Sequence, residues 1–195
     1  MPVSWRLSLV IALVVLSGLA GFAFAVWPDD THSAGDELSI GGVPVTDDAS
    51  LNAALAAAES RAGFPAKVPA FLPTSANKLV WVDSSRGPDG RGPGLIELVY
   101  QGNTKVAIDG VETPSVVEIF LTDGPLRKPN GERVALDAGP FALYKDVVSR
   151  DEAGNPVKVT YTAVGPEGTV ITDFSGEQPD DSAVIRMLES LETVK

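Results

Sequence analysis

Residues 62–83, AGFPAKVPAFLPTSANKLVWVD, carry three prolines at an even spacing of four, Pro65, Pro69 and Pro73, with Phe64, Val68, Phe71 and Leu72 set among them. A helix cannot run through this stretch, because each interior proline costs about 3 kcal/mol and biases its predecessor towards extended backbone. A central strand is excluded too, since each proline removes a ladder donor. What remains is an extended strap that packs its apolar side chains against something already built, its unpaired backbone turned to solvent or to a sheet edge. A proline-rich ligand for a partner's groove would not need this density of large apolar residues.

Beyond the strap the period changes to two. The runs KLVWVD (78–83), LIELVYQ (95–101), VVEIFLTD (116–123), FALYKDVV (141–148), VKVTYTAV (157–164) and GTVITDF (168–174) are rich in Val, Ile, Thr and aromatics and are separated by Gly, Pro, Asn and Asp clusters. Tight connections in RDEAGNPVKV and TAVGPEGTVI predict successive antiparallel hairpins or a meander. Ahead of the strap, Leu51, Ala54, Leu55, Ala58 and Ala62 recur at helical spacing; Asp47 or Asp48 can cap that helix and Gly63 can end it, which predicts helix over 49–62. At the other end, Asp180, Asp181 and Ser182 are capping candidates, and Val184, Ile185, Leu188 and Leu191 share one helical face. The expected fold is α+β: a single curved antiparallel sheet of about six strands, an N-terminal and a C-terminal helix packed on it, and a transmembrane or signal segment in front.

That leading segment has Arg6 as its only charged side chain and no charge from Leu7 to Trp27. Two readings stay open: a cleaved signal peptide, favoured by the small-x-small AFA of Ala23 to Ala25, and an uncleaved anchor, favoured by the length of the run. As a helix, Trp5 to Trp27 would span roughly 33 Å, close to the hydrocarbon thickness with an aromatic at each interface. In either case Arg6 stays cytoplasmic and the rest of the chain goes out. Residues 28–48 hold six carboxylates and no Lys or Arg, the composition of a solvated tether. The expected division is therefore 1–27 signal or anchor, 28–48 tether and 49–195 extracytoplasmic domain, at the cell membrane as a single-pass protein or secreted.

The chain of 195 residues, 44% hydrophobic, suffices for one globular domain with an appendage. A net charge of -11 argues against nucleic acid, which needs clustered Lys and Arg. With no cysteine there is no disulfide, no thiolate zinc site and no cysteine nucleophile.

The order of these features resembles the domain-of-unknown-function 4367 family of bacterial extracytoplasmic proteins. FPAKVPAFLP is similar to that family's F-P-x-x-V-P-x-[YF]-L-P opening, and KLVWVD and IELVYQG resemble its first two strands. VKVTYTAVGPEGTVITDFSG followed by IRMLESL resembles its closing hairpin and terminal helix, so the likeness spans roughly residues 50–192. The chain departs where the family follows LP with a short Gly-aromatic turn, for TSAN stands at 74–77. The likeness, and a looser one to the half-barrel sheets of lipoprotein carriers and anti-sigma-factor regulators, implies binding or sensing without catalysis.

The residue types present agree with that implication. His32, the only histidine, lies in the acidic tether, where neither a triad nor a metal site has a rigid scaffold. There is no G-x-S-x-G and no P-loop, and the glycines of SRGPDGRGPG (85–94) precede a strand rather than a helix. No enzymatic activity, cofactor or metal is expected. Arg86 and Arg91 make 85–94 the one basic loop, suited to an anionic headgroup or acidic partner. With Trp81, Tyr100 and Phe120 they are the residues expected to contact an envelope protein or an apolar ligand. The aromatics are better explained as core than as pocket; an incompletely covered sheet would leave a cleft and make the domain a lipid or lipoprotein carrier. The remaining alternative is a hydrolase using a carboxylate pair, Glu97 and Glu118, although Glu97, Glu118, Asp123 and Asp173 alternate with apolar neighbours as on a half-solvated sheet.

Overall fold

A computed structural model describes residues 42–193 except 87–89, 91, 109–110 and 125–128. The strands are β1 (Val43–Pro44), β2 (Lys67–Pro69), β3 (Lys78–Arg86), β4 (Gly94–Ile108), β5 (Val111–Thr122), β6 (Glu132–Arg133), β7 (Ala142–Arg150), β8 (Pro156–Gly165), β9 (Gly168–Ser175) and β10 (Leu191–Thr193); the helices are α1 (Asp48–Ala62) and α2 (Asp181–Glu189). The protein is mostly β. An eight-stranded antiparallel sheet runs in the order β1-β3-β4-β5-β9-β8-β7-β6, and β2 and β10 form a separate ribbon.

This corrects the expected α+β sheet of about six strands between two helices. The added strands β1 and β6 have two residues each, too few to show a period of two. β2 lies in the proline strap, which finds its partner in the chain's own tail: Val68 pairs with Glu192, and the Ala70 amide donates to the Ser190 carbonyl at 3.0 Å. Leu191, expected on the C-terminal helix, is therefore a strand residue. The meander is interrupted as well. After β5 the chain crosses to the far edge and returns as β6 to β9, so that β9 pairs with β5 and two meanders close into one sheet.

Local chemistry sets the helix ends. The Asp47 carboxylate accepts from the Ser50 amide at 2.8 Å while the Ser50 hydroxyl accepts from the Asp47 amide at 2.9 Å. Gly63, at φ 79°, ends α1 in the left-handed region. Arg86 Nη1 donates to the Ala62 carbonyl at 3.0 Å, a cation on the negative end of the helix. Asp180 caps α2 through the Ala183 amide at 2.7 Å.

Both helices cover one face of the sheet. Ala54, Leu55, Ala58 and Ala62 of α1 and Val184, Met187 and Leu188 of α2 share a core with Ile96, Leu98, Val117, Ile119, Val159, Tyr161 and Phe174. The small side chains of α1 let it lie close to the sheet. Tyr161 meets Phe174 edge to face at 5.8 Å, and its hydroxyl donates to Asp181 Oδ1 at 2.7 Å, where Lys145 Nζ also arrives at 2.7 Å. From the strap, Phe64, Val68 and Leu72 join the core, whereas Phe71 stays 39% exposed under the Arg186 guanidinium. The strap's exit is held by Glu177, which accepts from both the amide and the hydroxyl of Ser75.

Among the described residues no helix is long and apolar enough to cross a membrane. The segment 7–27, read above as either a cleaved signal peptide or a membrane anchor, and His32 lie outside the described residues.

Candidate functional site

Strand register places a group of acids on the sheet face away from the helices. One cross-strand row runs Pro44, Trp81, Val99, Glu118, Asp173, Thr160 and Asp146. The adjacent row runs Asp83, Glu97, Phe120, Ile171, Thr162 and Tyr144. Glu97 and Glu118 are thus diagonal neighbours on two central strands, flanked by Asp83 beside Glu97 and Asp173 beside Glu118. Val99, Phe120 and Ile171 are buried around them without belonging to the helix-covered core.

The outer acids are partnered and the inner ones are not. Asp173 accepts from the Thr160 hydroxyl at 2.7 Å and pairs with Lys158 at 3.1 Å. Asp83 accepts from the Ser84 amide at 2.6 Å and faces Arg61 at 3.5 Å. Glu97 and Glu118 are only 4% and 5% exposed, and among the described residues neither takes a hydrogen bond or an ion pair.

Such burial disfavours the charged form. Burial, and after it the charges of Glu118, Asp83 and Asp173, push Glu97 up to about 8. Burial pushes Glu118 up to about 7; the Lys158 cation opposes this and Asp173 adds to it. Asp83 is also raised, by burial against the Ser84 amide and Arg61. The pair can therefore hold and release protons near neutrality. The half-solvated reading of Glu97 and Glu118 is corrected: both are nearly inaccessible although they stand on the face away from the helices. The signal was present in LIELVY and VVEIF, which are apolar on both alternating sets.

Two clefts of about 460 Å³ each open elsewhere. The first is lined by Phe64, Leu121, Phe141, Val170, Leu188 and Leu191, together with the ion pair Lys67–Glu167 at 2.6 Å. The second lies at the start of α1, between Leu51, Leu55, Val68, Leu79 and Tyr100. None of Asp83, Glu97, Glu118 and Asp173 lines either one. Among the described residues no group of three His, Cys, Asp or Glu side chains can hold a metal ion.

The contact residues expected from sequence do not form one surface. Trp81 and Phe120 share the acidic face, but Tyr100 points to the helix side, because the strand alternates and a bulge between Leu79 and Trp81 fixes the register. Burial raises the Tyr100 phenol above its ordinary value. Arg86 is taken up by the Ala62 carbonyl and lies 3.9 Å from Asp123, so it serves the end of α1. Arg91 lies outside the described residues.

No family model, no curated protein and no solved structure matches the chain.

Proposed function

We propose that this protein is a non-enzymatic binding or sensing domain, exported across or tethered to the bacterial membrane through residues 7–27 and acting on an envelope partner. The observation that carries the reading is the placement of the paired carboxylates: Glu97 and Glu118 are buried and line neither of the two clefts described above, where a substrate would have to meet them. The charge pattern of the first 27 residues and the motif order resembling the domain-of-unknown-function 4367 family support the same reading. Purified full-length protein is expected to leave a panel of envelope polymers and esters intact. Turnover at enzyme-like rates that Glu97→Gln or Glu118→Gln abolishes would establish the carboxylate hydrolase instead.

A second reading, a carrier of an apolar ligand, is favoured by the cleft between Phe64, Phe141 and Leu188. Its volume falls within the ~300–1,000 Å³ typical of small-molecule sites, and its walls are largely apolar. Lipid that copurifies and is lost on Leu188→Glu supports carriage; clean protein in mass spectrometry of the native preparation removes it.

A further inference from the structure

We propose that Glu97 and Glu118 are a proton-operated switch in the sheet: the face built from β3, β4, β5 and β9 is closed while the pair holds protons and loosens when both carboxyls are ionised. The inference rests on the sensing reading above and gives it a signal, the acidity of the surrounding medium.

The geometry leaves ionised glutamates little support. Facing Glu97 are Asp83 from β3, Phe120 and Glu118 from β5, and Asp173 one strand further on β9. Facing Glu118 are Val99 from β4 and Asp173 from β9, with Lys158 and Thr160 of β8 already engaged by Asp173. Arg61 of α1 reaches Asp83 and the Ser84 carbonyl at the sheet edge. Asp146 of β7 ends the first row, and the second runs on through Tyr144 of β7 to Arg133 of β6. Five carboxyls, Asp83, Glu97, Glu118, Asp173 and Asp146, thus share this surface with Lys158, with Arg61 at the β3 edge and with Arg133 at the β6 edge. The two central ones have neither a donor nor a cation of their own among the described residues, although both are more than nine-tenths buried.

A protonated carboxyl here can bury as a neutral group, and the charge state of each of the two depends on that of the other. Removing both protons places like charges on diagonal positions of a buried pair of strands, which is destabilising. Strands β4 and β5 are the ones driven apart, and they join the first meander to the second through β9.

The test is hydrogen exchange on the full-length chain in detergent micelles, followed by mass spectrometry at pH 5.5 and pH 9 and corrected for intrinsic exchange. Opening of peptides from β4 and β5 is expected to be at least about tenfold more frequent at pH 9. The double variant Glu97→Gln/Glu118→Gln is expected to lose this difference, and Asp146→Asn to keep it. Should the double variant not fold, each single variant is expected to reduce the difference. A difference that survives in the glutamine variants, or none in the wild type, overturns the switch. The turnover panel reads another property, so failure of the non-enzymatic reading and failure of the switch are separately visible.

Discussion

Glu118 stands directly across from Asp173 on β5 and β9, yet Lys158 and Thr160 both bind Asp173. Lys158 reaches Glu118 only as a nearby charge that holds its carboxyl down. Replacing Lys158 with Met removes that influence, so Glu118 is expected to titrate above its present value of about 7. Carbon-13 NMR of the glutamate carboxyls would follow it; an unchanged or lower titration point refutes the assignment.

The pH dependence of stability follows from the same pair. Both folded-state values lie above those of the unfolded chain, so the native state holds more protons in between. The contribution is complete below the unfolded value of about 4.5 and is lost as pH rises through about 7 to 8. Urea unfolding of the wild type is expected to show stability falling from pH 5 to pH 9. Glu97→Gln should flatten that slope and be more stable than wild type at pH 9 by about 1–3 kcal/mol, since an amide does not ionise. A wild type that gains stability over this range contradicts the burial described.

Asp181 gives the opposite sign. Burial raises its carboxyl, but hydrogen bonds from Lys145 and Tyr161 outweigh burial and hold it below the ordinary aspartate value. Its contribution is present above the unfolded value and lost as pH falls through the lowered one. Asp181→Asn is expected to cost about 1 kcal/mol at pH 7, the partial exposure of the pair keeping the figure small. The difference from wild type should shrink in acid; equal thermal shifts at pH 7 and pH 3 would speak against it.

Gly63 combines two demands. Its φ of 79° suits glycine, and a methyl at that position would meet Arg86 Nη1. Gly63→Ala is expected to cost more than the roughly 1 kcal/mol of an ordinary left-handed position, because it also displaces the Arg86 contact to Ala62. If Arg86→Met removed none of the difference between glycine and alanine, the guanidinium would have no part in it.

How much of this was legible from sequence depended on the distance over which each signal acts. The caps Asp47 and Gly63 and the alternating runs from Lys78 to Phe174 are local, and they stand in the chain where their chemistry is readable. The pairing of β5 with β9 is not local, because it joins Val116 to Ser175 across a crossover whose two-residue strand β6 has no periodicity to display. The strap's partner was missed because Leu191 continues a helical spacing that the tail abandons at Ser190 to pair with Pro69. The two central glutamates were misread because alternation with apolar residues describes a solvated face and a twice-buried strand equally well.

The β2–β10 ribbon joins Lys67 to Thr193, so every described strand except β1 lies within or closes one loop, with α1 outside it. Emerging from its N-terminus, the polypeptide can shape α1 and β3 early, but β2 has no ladder partner until residues 191–193 arrive. Closure of that ribbon consequently waits on residues more than a hundred positions downstream, and a truncation that removes β10 is felt at Lys67 to Pro69.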